Sequence, residues 1–404
     1  MIENKKIIIL GGGIAGLSCA EEIRKNSNDI EITLITAESN LPYYRLSLTR
    51  YLANEIKKDN LLIHPKSWYD DKKINIISGV EVTEIDKENK LVKLENGTNL
   101  NYDKLVLTTG ASPFIPPIQG RELGNVVTLR NMKDTEFLLD KMQHIKSCIC
   151  IGGGTLGIEV AGAIAKTGVK VLLLEGLEWL MPRQLNKKAS GVLKDFLHKI
   201  GIEVKENIKI EEITGSENCN GVKLSSGEQM HAELIIVTAG VSPNIQLAKN
   251  AGLSVNKGLL INNSMKTSDE DIFAAGDVTE HNGVLYGLWN VAQLQGKVAA
   301  QNILGNNIQF EGVHKTNILK VLGLDMFSIG EFCPTDKNFC NYEKDTADGY
   351  ICLILRNDKI IGANIIGNMA LSMKVKQAVE KGLEFSEHEY NDINSILERL
   401  MKFL

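Results

Sequence analysis

A chain of 404 residues is longer than one ordinary hydrophobic core absorbs, so two or three domains are expected. Hydrophobic residues make up 43% of it, and 45 basic side chains against 50 acidic ones leave a net charge of −5, which excludes the dense basic face of a nucleic-acid binder. The 36 glycines gather at the ends of apolar runs and prolines number only 8, a pattern of tight strand-to-helix turns that argues against a disordered chain.

The first twenty residues imitate a secretion leader, with Lys5-Lys6 ahead of an apolar stretch, but Gly11, Gly12 and Gly13 interrupt it. No run reaches the ~18 apolar residues that a membrane span needs, so the expectation is a cytoplasmic protein without membrane contact. The seven cysteines, Cys19, Cys148, Cys150, Cys219, Cys333, Cys340 and Cys352, are scattered with no C-x-x-C spacing, so no metal site or disulfide framework follows from them.

In chain order, Lys6–Leu10 reads as a β-rich run that opens into Gly-Gly-Gly-Ile-Ala-Gly and a helix over Leu17–Arg24, then a strand over Glu31–Ile35. Shorter strands are expected at 75–78, 90–94 and 104–108, with a hairpin turn at Glu95-Asn96-Gly97. Pro113, Pro116 and Pro117 mark a crossing into a second copy of the first pattern: strand Cys148–Ile151, turn Gly152 to Gly157, helix Ile158–Lys166 and strand Lys170–Leu174. Strands at 223–224 and 234–238 follow around Ser225-Ser226-Gly227, and Pro243 marks the way back. Beyond Gly312 the pattern changes to alternating runs at 320–329, 350–355 and 359–366, with Asn357-Asp358 as a turn. Helices are expected at 372–381 and 392–404, the last with Ile393, Ile396, Leu397, Leu400 and Leu404 on one face. Two βαβ units imply two Rossmann-like, three-layer α/β domains, followed by a small C-terminal α+β domain.

Each copy carries a dinucleotide fingerprint in the required strand–turn–helix setting. In G-x-G-x-x-G the first glycine allows the turn, the second lets backbone approach a pyrophosphate and the third lets helix and strand pack closely, with the phosphates at the helix N-terminus. Gly11, Gly13 and Gly16 take these parts in the first copy, with Ile14 and Ala15 between them; Gly152, Gly154 and Gly157 take them in the second, with Thr155 and Leu156. An acidic residue about 20 positions on holds the ribose hydroxyls. Glu38 is the first candidate, a little late, with Thr36 nearer the strand end. Glu175 is the second; a carboxylate there repels a 2′-phosphate and no basic cluster follows, which favours NADH over NADPH. A glycine turn without ligand and a solvated strand-end Glu are the competing readings. Two dinucleotides in one chain point to electrons passing between them.

With these residues in hand the chain resembles the two-dinucleotide-domain flavoprotein disulfide-reductase superfamily. Thr108-Thr109-Gly110-Ala111-Ser112-Pro113 is similar to its first crossover signature, Gly240-Val241-Ser242-Pro243-Asn244 to the return crossover, and Thr267 to Val278 to its second FAD fingerprint. The resemblance implies a discontinuous FAD-binding domain over 1–113 and 241–312, an NAD-binding domain over 114–240 and a C-terminal domain over 313–404. It implies FAD contacts from Thr109, Gly110, Gly276 and Asp277, the last on the ribitol, and an NAD contact from Gly240.

Leu41 to Arg50 resembles a segment shared by rubredoxin reductases, ferredoxin reductases of oxygenase systems and the flavin domain of nitrite reductase large subunits. The resemblance implies Arg45 at the FAD phosphates or adenine. It also implies Arg50, where relatives carry Lys, paired with Glu159 near flavin N5 as the catalytic charges. Gly287 to Lys297 is similar to the stretch along the isoalloxazine, where Trp289 is either a flavin contact or ordinary core. Disulfide-reducing relatives carry cysteine after the first βαβ unit, and residues 40–53 have none, so thiol relay is not expected.

The function so implied is an FAD-dependent NADH oxidoreductase delivering electrons to a small one-electron carrier, first of all rubredoxin, because Lys320 to Glu331 resembles the third domain of rubredoxin reductases. An acidic carrier would meet a basic rim, with Arg45, Arg50, Lys297 and Lys320 as candidates. Two alternatives stay open: the flavin electron-entry component of a nitrite-reductase-type or other complex, and a flavoprotein that senses NAD state without turnover. No metal is expected.

Overall fold

The sheet strands of both fingerprint units are apolar on both faces, as strands covered by helices on each side must be. In the computed structural model, which describes residues 5–313, 316–321, 323–334, 338–347, 349–385 and 392–402, the chain forms two units. The first comprises residues 1–113, 130–132 and 241–313, and the second residues 114–129, 133–240 and 314–404.

The first unit holds a five-stranded parallel sheet in the order Ile272–Ala274, Lys104–Leu107, Lys6–Leu10, Glu31–Thr36, Ile74–Ser78. Lys6–Leu10 lies at its centre with Ile7, Ile8, Ile9 and Leu10 all buried. The helix Ile14–Asn26 packs Leu17, Ala20 and Ile23 onto it and ends with Arg24 and Lys25 in its last turn, where cations suit the negative end of the helix. Arg24 is itself buried and donates to the carbonyls of Ser27, Ile30 and Lys73, tying the helix end to the neighbouring strands. The two crossover segments, Ala111–Pro113 and Val241–Pro243, pair with each other as antiparallel strands.

The second unit repeats the design with Ile202–Lys205, Lys170–Leu174, Ser147–Ile151, Leu234–Val237 and Val126–Val127 in one parallel sheet. It also contains a five-stranded antiparallel sheet, Thr316–Val321, Leu324–Gly330, Lys359–Ile366, Gly349–Arg356 and Cys340–Thr346. Helices Met369–Glu380 and Ile393–Lys402 cover one face of that sheet, and Phe327, Leu353, Ile365, Val375 and Ile396 fill the core between them.

Three expectations change. Residues 320–329 are not one strand: the chain reverses around Gly323, so that Lys320 pairs with Asp325 across a hairpin. The glycine adopts φ +105°, a conformation that only glycine takes readily, and this breaker outweighs the continuous apolar run. Both fingerprint helices start three residues earlier than the apolar periodicity suggests, at Ile14 and Thr155, because each begins directly after its second glycine. The last helix spans Ile393–Lys402, with Ile393, Ile396 and Leu400 buried, while Leu404 lies outside the described residues. No helix among the described residues is long and apolar enough to cross a membrane.

Candidate functional site: two dinucleotide cradles

The fingerprint glycines divide the work as the motif requires. Gly11 has φ +120°, and a Cβ there would stand 2.1 Å from the Thr108 carbonyl oxygen. Gly16 lies so close to the turn that a Cβ would come 2.2 Å from the Gly11 oxygen. Gly13, by contrast, would project a Cβ into open space, with nothing within 4 Å. The second copy matches position by position: Gly152 at φ +113°, Gly157 with a Cβ 1.9 Å from the Gly152 oxygen, and Gly154 open. Two glycines are thus demanded by packing and the middle one is not. Its smoothness serves whatever approaches from outside.

What approaches is set by the helix ends. Gly13 and Gly154 are the N-caps of Ile14–Asn26 and Thr155–Ala165, neither offers a side-chain cap, and neither helix has an acidic residue in its first turn. The first-turn N–H groups of Ile14, Ala15 and Gly16, and of Thr155, Leu156 and Gly157, therefore carry the positive end of the helix with no acidic residue of that turn against them, the setting for a pyrophosphate. The chain fits two dinucleotides on these grounds.

The acidic partners differ. Glu38 lies two residues past the end of strand Glu31–Thr36, and its carboxylate accepts from Tyr43 Oη at 2.6 Å and pairs with Arg45 at 2.5 Å. Arg45 also donates to the Arg130 carbonyl at 2.5 Å, and Arg130 pairs with Asp277 at 2.8 Å. Burial alone would lower the Arg45 pKa, but Tyr43 and Glu38 outweigh it and the net shift is upward; burial also pushes the Tyr43 phenol up. A chain of polar contacts, Glu38–Arg45–Arg130–Asp277, thereby joins the ribose candidate to the ribitol candidate within the first unit. This corrects the assignment of Arg45 to a basic rim: it is partly buried and committed to Glu38. Arg50 is exposed, at 58%, and pairs with Glu55 at 3.3 Å; Lys297 is exposed; the side chain of Lys320 lies outside the described residues.

Glu175 is only 8% exposed and is wired to backbone: Oε2 accepts from Gly153 N at 2.7 Å and Oε1 from Leu177 N at 2.8 Å. It is not a solvated strand end. Gly153 leaves the room these side chains occupy: a Cβ would meet Leu180 Cδ2 at 2.4 Å and Glu175 Oε2 at 3.0 Å, and both would have to shift.

The crossovers hold the remaining residues. Asn244 donates to the Thr109 carbonyl at 2.8 Å, and its own backbone oxygen accepts from Thr109 Oγ1 at 3.1 Å. A Cβ at Gly110, at φ +68°, would meet nothing closer than Arg130 Nη2 at 4.0 Å, and one at Gly240, at φ +114°, would meet nothing within 4 Å. Gly276, at φ +85°, stands against Ala15 and Ala292, so the second FAD-type motif and the first fingerprint helix meet closely. Trp289 is half-buried, opens the helix Trp289–Ile303 and stacks on Tyr44 with centroids 6.0 Å apart, a rim position more than a core one. Glu159 is half-buried on the second fingerprint helix, in the other unit from Arg50.

Cys19, the first unit's cysteine, is fully buried, and burial, with Glu22 adding, holds its thiol protonated. Tyr43, Arg130 and Asn244 went unassigned in the sequence. Tyr43 sits inside the Leu41–Arg50 segment, but Arg130 follows a two-residue strand with no motif around it, and nothing local marks it.

Two glycine cradles at helix starts without side-chain caps, each on a parallel sheet, define an α/β protein of the two-dinucleotide-fold class. Residues 5–296 match the family described as pyridine nucleotide-disulphide oxidoreductase, and the chain belongs to it. Residues 316–383 match the rubredoxin NAD+ reductase C-terminal domain. The chain is 32% identical to the NADH-rubredoxin oxidoreductase of Clostridium acetobutylicum over 99% of this chain and 100% of that one. The solved structure of NADH:rubredoxin oxidoreductase from the same organism superposes with a TM-score of 0.83 at 31% identity, over 98% of this chain and 100% of that one. This chain is also 31% identical to the Bacillus subtilis nitrite reductase over 95% of its own length, and it spans about half of that relative, 48%.

Proposed function

We propose that this protein is an FAD-dependent NADH oxidoreductase that passes electrons from NADH to a small one-electron carrier, rubredoxin by first choice. Residues 1–113 and 241–312 hold FAD, residues 114–240 hold NADH, and residues 313–404 form the C-terminal domain. Bound FAD supplies the chemistry, since a flavin accepts hydride from a nicotinamide and gives up electrons singly. The chain's part is to bind and orient. Gly13 and Gly154 admit the two pyrophosphates to the helix ends, Glu38 and Glu175 accept from the ribose hydroxyls, and Asp277, steadied by Arg130, accepts from the ribitol. Arg50 and Glu159 are assigned as the charges that support the reacting ring.

The observation that carries this reading is a flavin unit with the Gly11–Gly16 turn and the Thr267–Val278 motif and, as its cysteine, only the buried and protonated Cys19. A thiol relay needs an accessible thiolate, so electrons leave by another route, and an external carrier provides it. The name of the Clostridium relative favours rubredoxin. The Bacillus nitrite reductase favours a second reading, an electron-entry flavin component of a larger enzyme. Seven free cysteines, five of them buried, suit a reducing compartment, and we place the protein in the cytoplasm.

Steady-state turnover with NADH and a panel of purified carriers, at several salt concentrations, tests the reading. Rubredoxin is expected to be reduced far faster than an unrelated dye, with a rate that falls as salt rises. Rubredoxin no faster than the dye rejects it as the acceptor.

A further inference from the structure

Asn364 is completely buried on the strand Lys359–Ile366, on the sheet face opposite the covering helices. A buried amide is costly unless its donors and acceptor are all engaged. Here the partners are mainly outside its own sheet: Oδ1 accepts from Asn186 N at 2.8 Å, and Nδ2 donates to the Gln184 carbonyl at 2.7 Å and to that of Ala363 at 3.1 Å. The side chain brackets Leu185 as a neighbouring strand would. Beside it, Asn186 Nδ2 donates to the hydroxyl of the buried Tyr350 at 3.1 Å, while Asn186 Oδ1 caps the helix Lys187–Lys199 through Ala189 N. Two residues on, Lys188 lies over the Tyr350 ring at 5.1 Å and pairs with Asp345 at 3.1 Å.

The segment held in this way begins at the NADH site. Residues 175–186 run from Glu175 to the capping Asn186. Along them Leu177 N donates to Glu175, Met181 N donates to the Gly153 carbonyl at 3.0 Å, and Leu180 fills the space that Gly153 leaves free. Gln184 N and Leu185 N both return to the Met181 carbonyl at 2.8 Å, which links the Asn364 end to the fingerprint end in one hydrogen-bonded loop.

We propose that the C-terminal domain positions the NADH site: Asn364 and Tyr350 anchor the 176–186 loop, and through it hold Gly153 and Glu175 in place for the adenosine ribose. The proposal rests on the reading of Gly152–Gly157 and Glu175 as the NADH cradle. It makes Asn364 and Tyr350 positioning residues, which touch no ligand.

The test uses the flavin-loaded protein with ADP-ribose as a probe, because ADP-ribose occupies the adenosine half of the site without redox chemistry. Calorimetric titration of Asn364→Leu is expected to show ADP-ribose binding about tenfold weaker. The KM for NADH rises in step, while kcat with a dye acceptor at saturating NADH stays within about twofold. Tyr350→Phe removes the hydroxyl that Asn186 Nδ2 donates to and is expected to weaken ADP-ribose about two- to threefold in the same pattern. Unchanged ADP-ribose affinity in a folded Asn364→Leu, or a rise in the KM for the carrier protein instead of NADH, overturns the proposal. Should Asn364→Leu fail to fold, Tyr350→Phe decides, and unaltered ADP-ribose binding there overturns it. Wild-type protein that binds no ADP-ribose would instead sink the NADH-cradle reading itself.

Discussion

The two cradles share their glycine geometry almost atom for atom, yet they secure their acidic residue in opposite ways. Glu38 is held by side chains, Tyr43 and Arg45, and remains partly open to solvent. Glu175 is held by two backbone N–H groups of its own fingerprint and loop, and is buried. The first arrangement extends the acidic residue into a network that ends at Asp277; the second makes it a structural member of the turn. The same sequence motif therefore leaves one ribose candidate replaceable and the other built in.

That comparison can be broken at several points. Gly157→Ala carries the largest expected effect. Alanine gains about 1 kcal/mol of helix propensity, but its Cβ would sit 1.9 Å from the Gly152 oxygen, so the turn must open and the net loss exceeds ~2 kcal/mol by denaturant unfolding. Gly16→Ala should behave alike. Next comes Glu175→Ala, which leaves two N–H groups without their charged acceptor and should cost ~2–4 kcal/mol together with NADH affinity. Glu38→Ala removes a carboxylate that is 30% exposed, but leaves the buried Tyr43 hydroxyl without its acceptor, and should cost about 1–2 kcal/mol. Equal losses for the two would erase the distinction drawn above.

Gly154→Ala and Gly13→Ala separate packing from binding. Both positions have ordinary negative φ and open space, so the entropy gained with alanine offsets its poorer N-capping and stability should change by no more than ~1 kcal/mol. Weakened NADH binding in the first and weakened FAD retention in the second are the expected readouts. Unaltered ligand binding in both variants contradicts the cradle assignment.

The smallest effect is one of pH. The Lys104 hydrogen bond, then Lys90, hold the Asp271 carboxyl below the usual carboxylate range. A depressed pKa contributes stability that is present above the unfolded value, near ~3.9, and is lost as pH falls through the folded value. Lys104→Met should therefore flatten the acid limb of the first unit's stability by less than ~1 kcal/mol, since both partners are partly solvated. An unchanged acid profile would show the pair to be inert.

Much of this was legible in the sequence because it is local. Apolar runs buried on both faces announce parallel strands, and Lys6–Leu10 and Lys170–Leu174 fall where the pattern puts them; Lys359–Ile366 does so too, in the antiparallel sheet. The glycines announce the turns. The polar network does not, because Arg130 meets Arg45 and Asp277 across 85 and 147 residues, and no spacing rule reaches that far. Asn364 was invisible for the same reason: it bonds residues 178 and 180 positions away from within an alternating strand that reads as ordinary. The reversal at Gly323 was missed for a different cause, an apolar run weighed above a single glycine.

The central claim is that NADH bound to the second cradle reduces FAD held by the first. Anaerobic rapid mixing of the purified, flavin-loaded protein with NADH or NADPH tests it most directly, by following flavin absorbance. Fast loss of the oxidised flavin band with NADH, much slower loss with NADPH, and recovery on adding oxidised rubredoxin is the predicted result. A flavin that stays oxidised with saturating NADH, or protein that takes up no flavin, would contradict it.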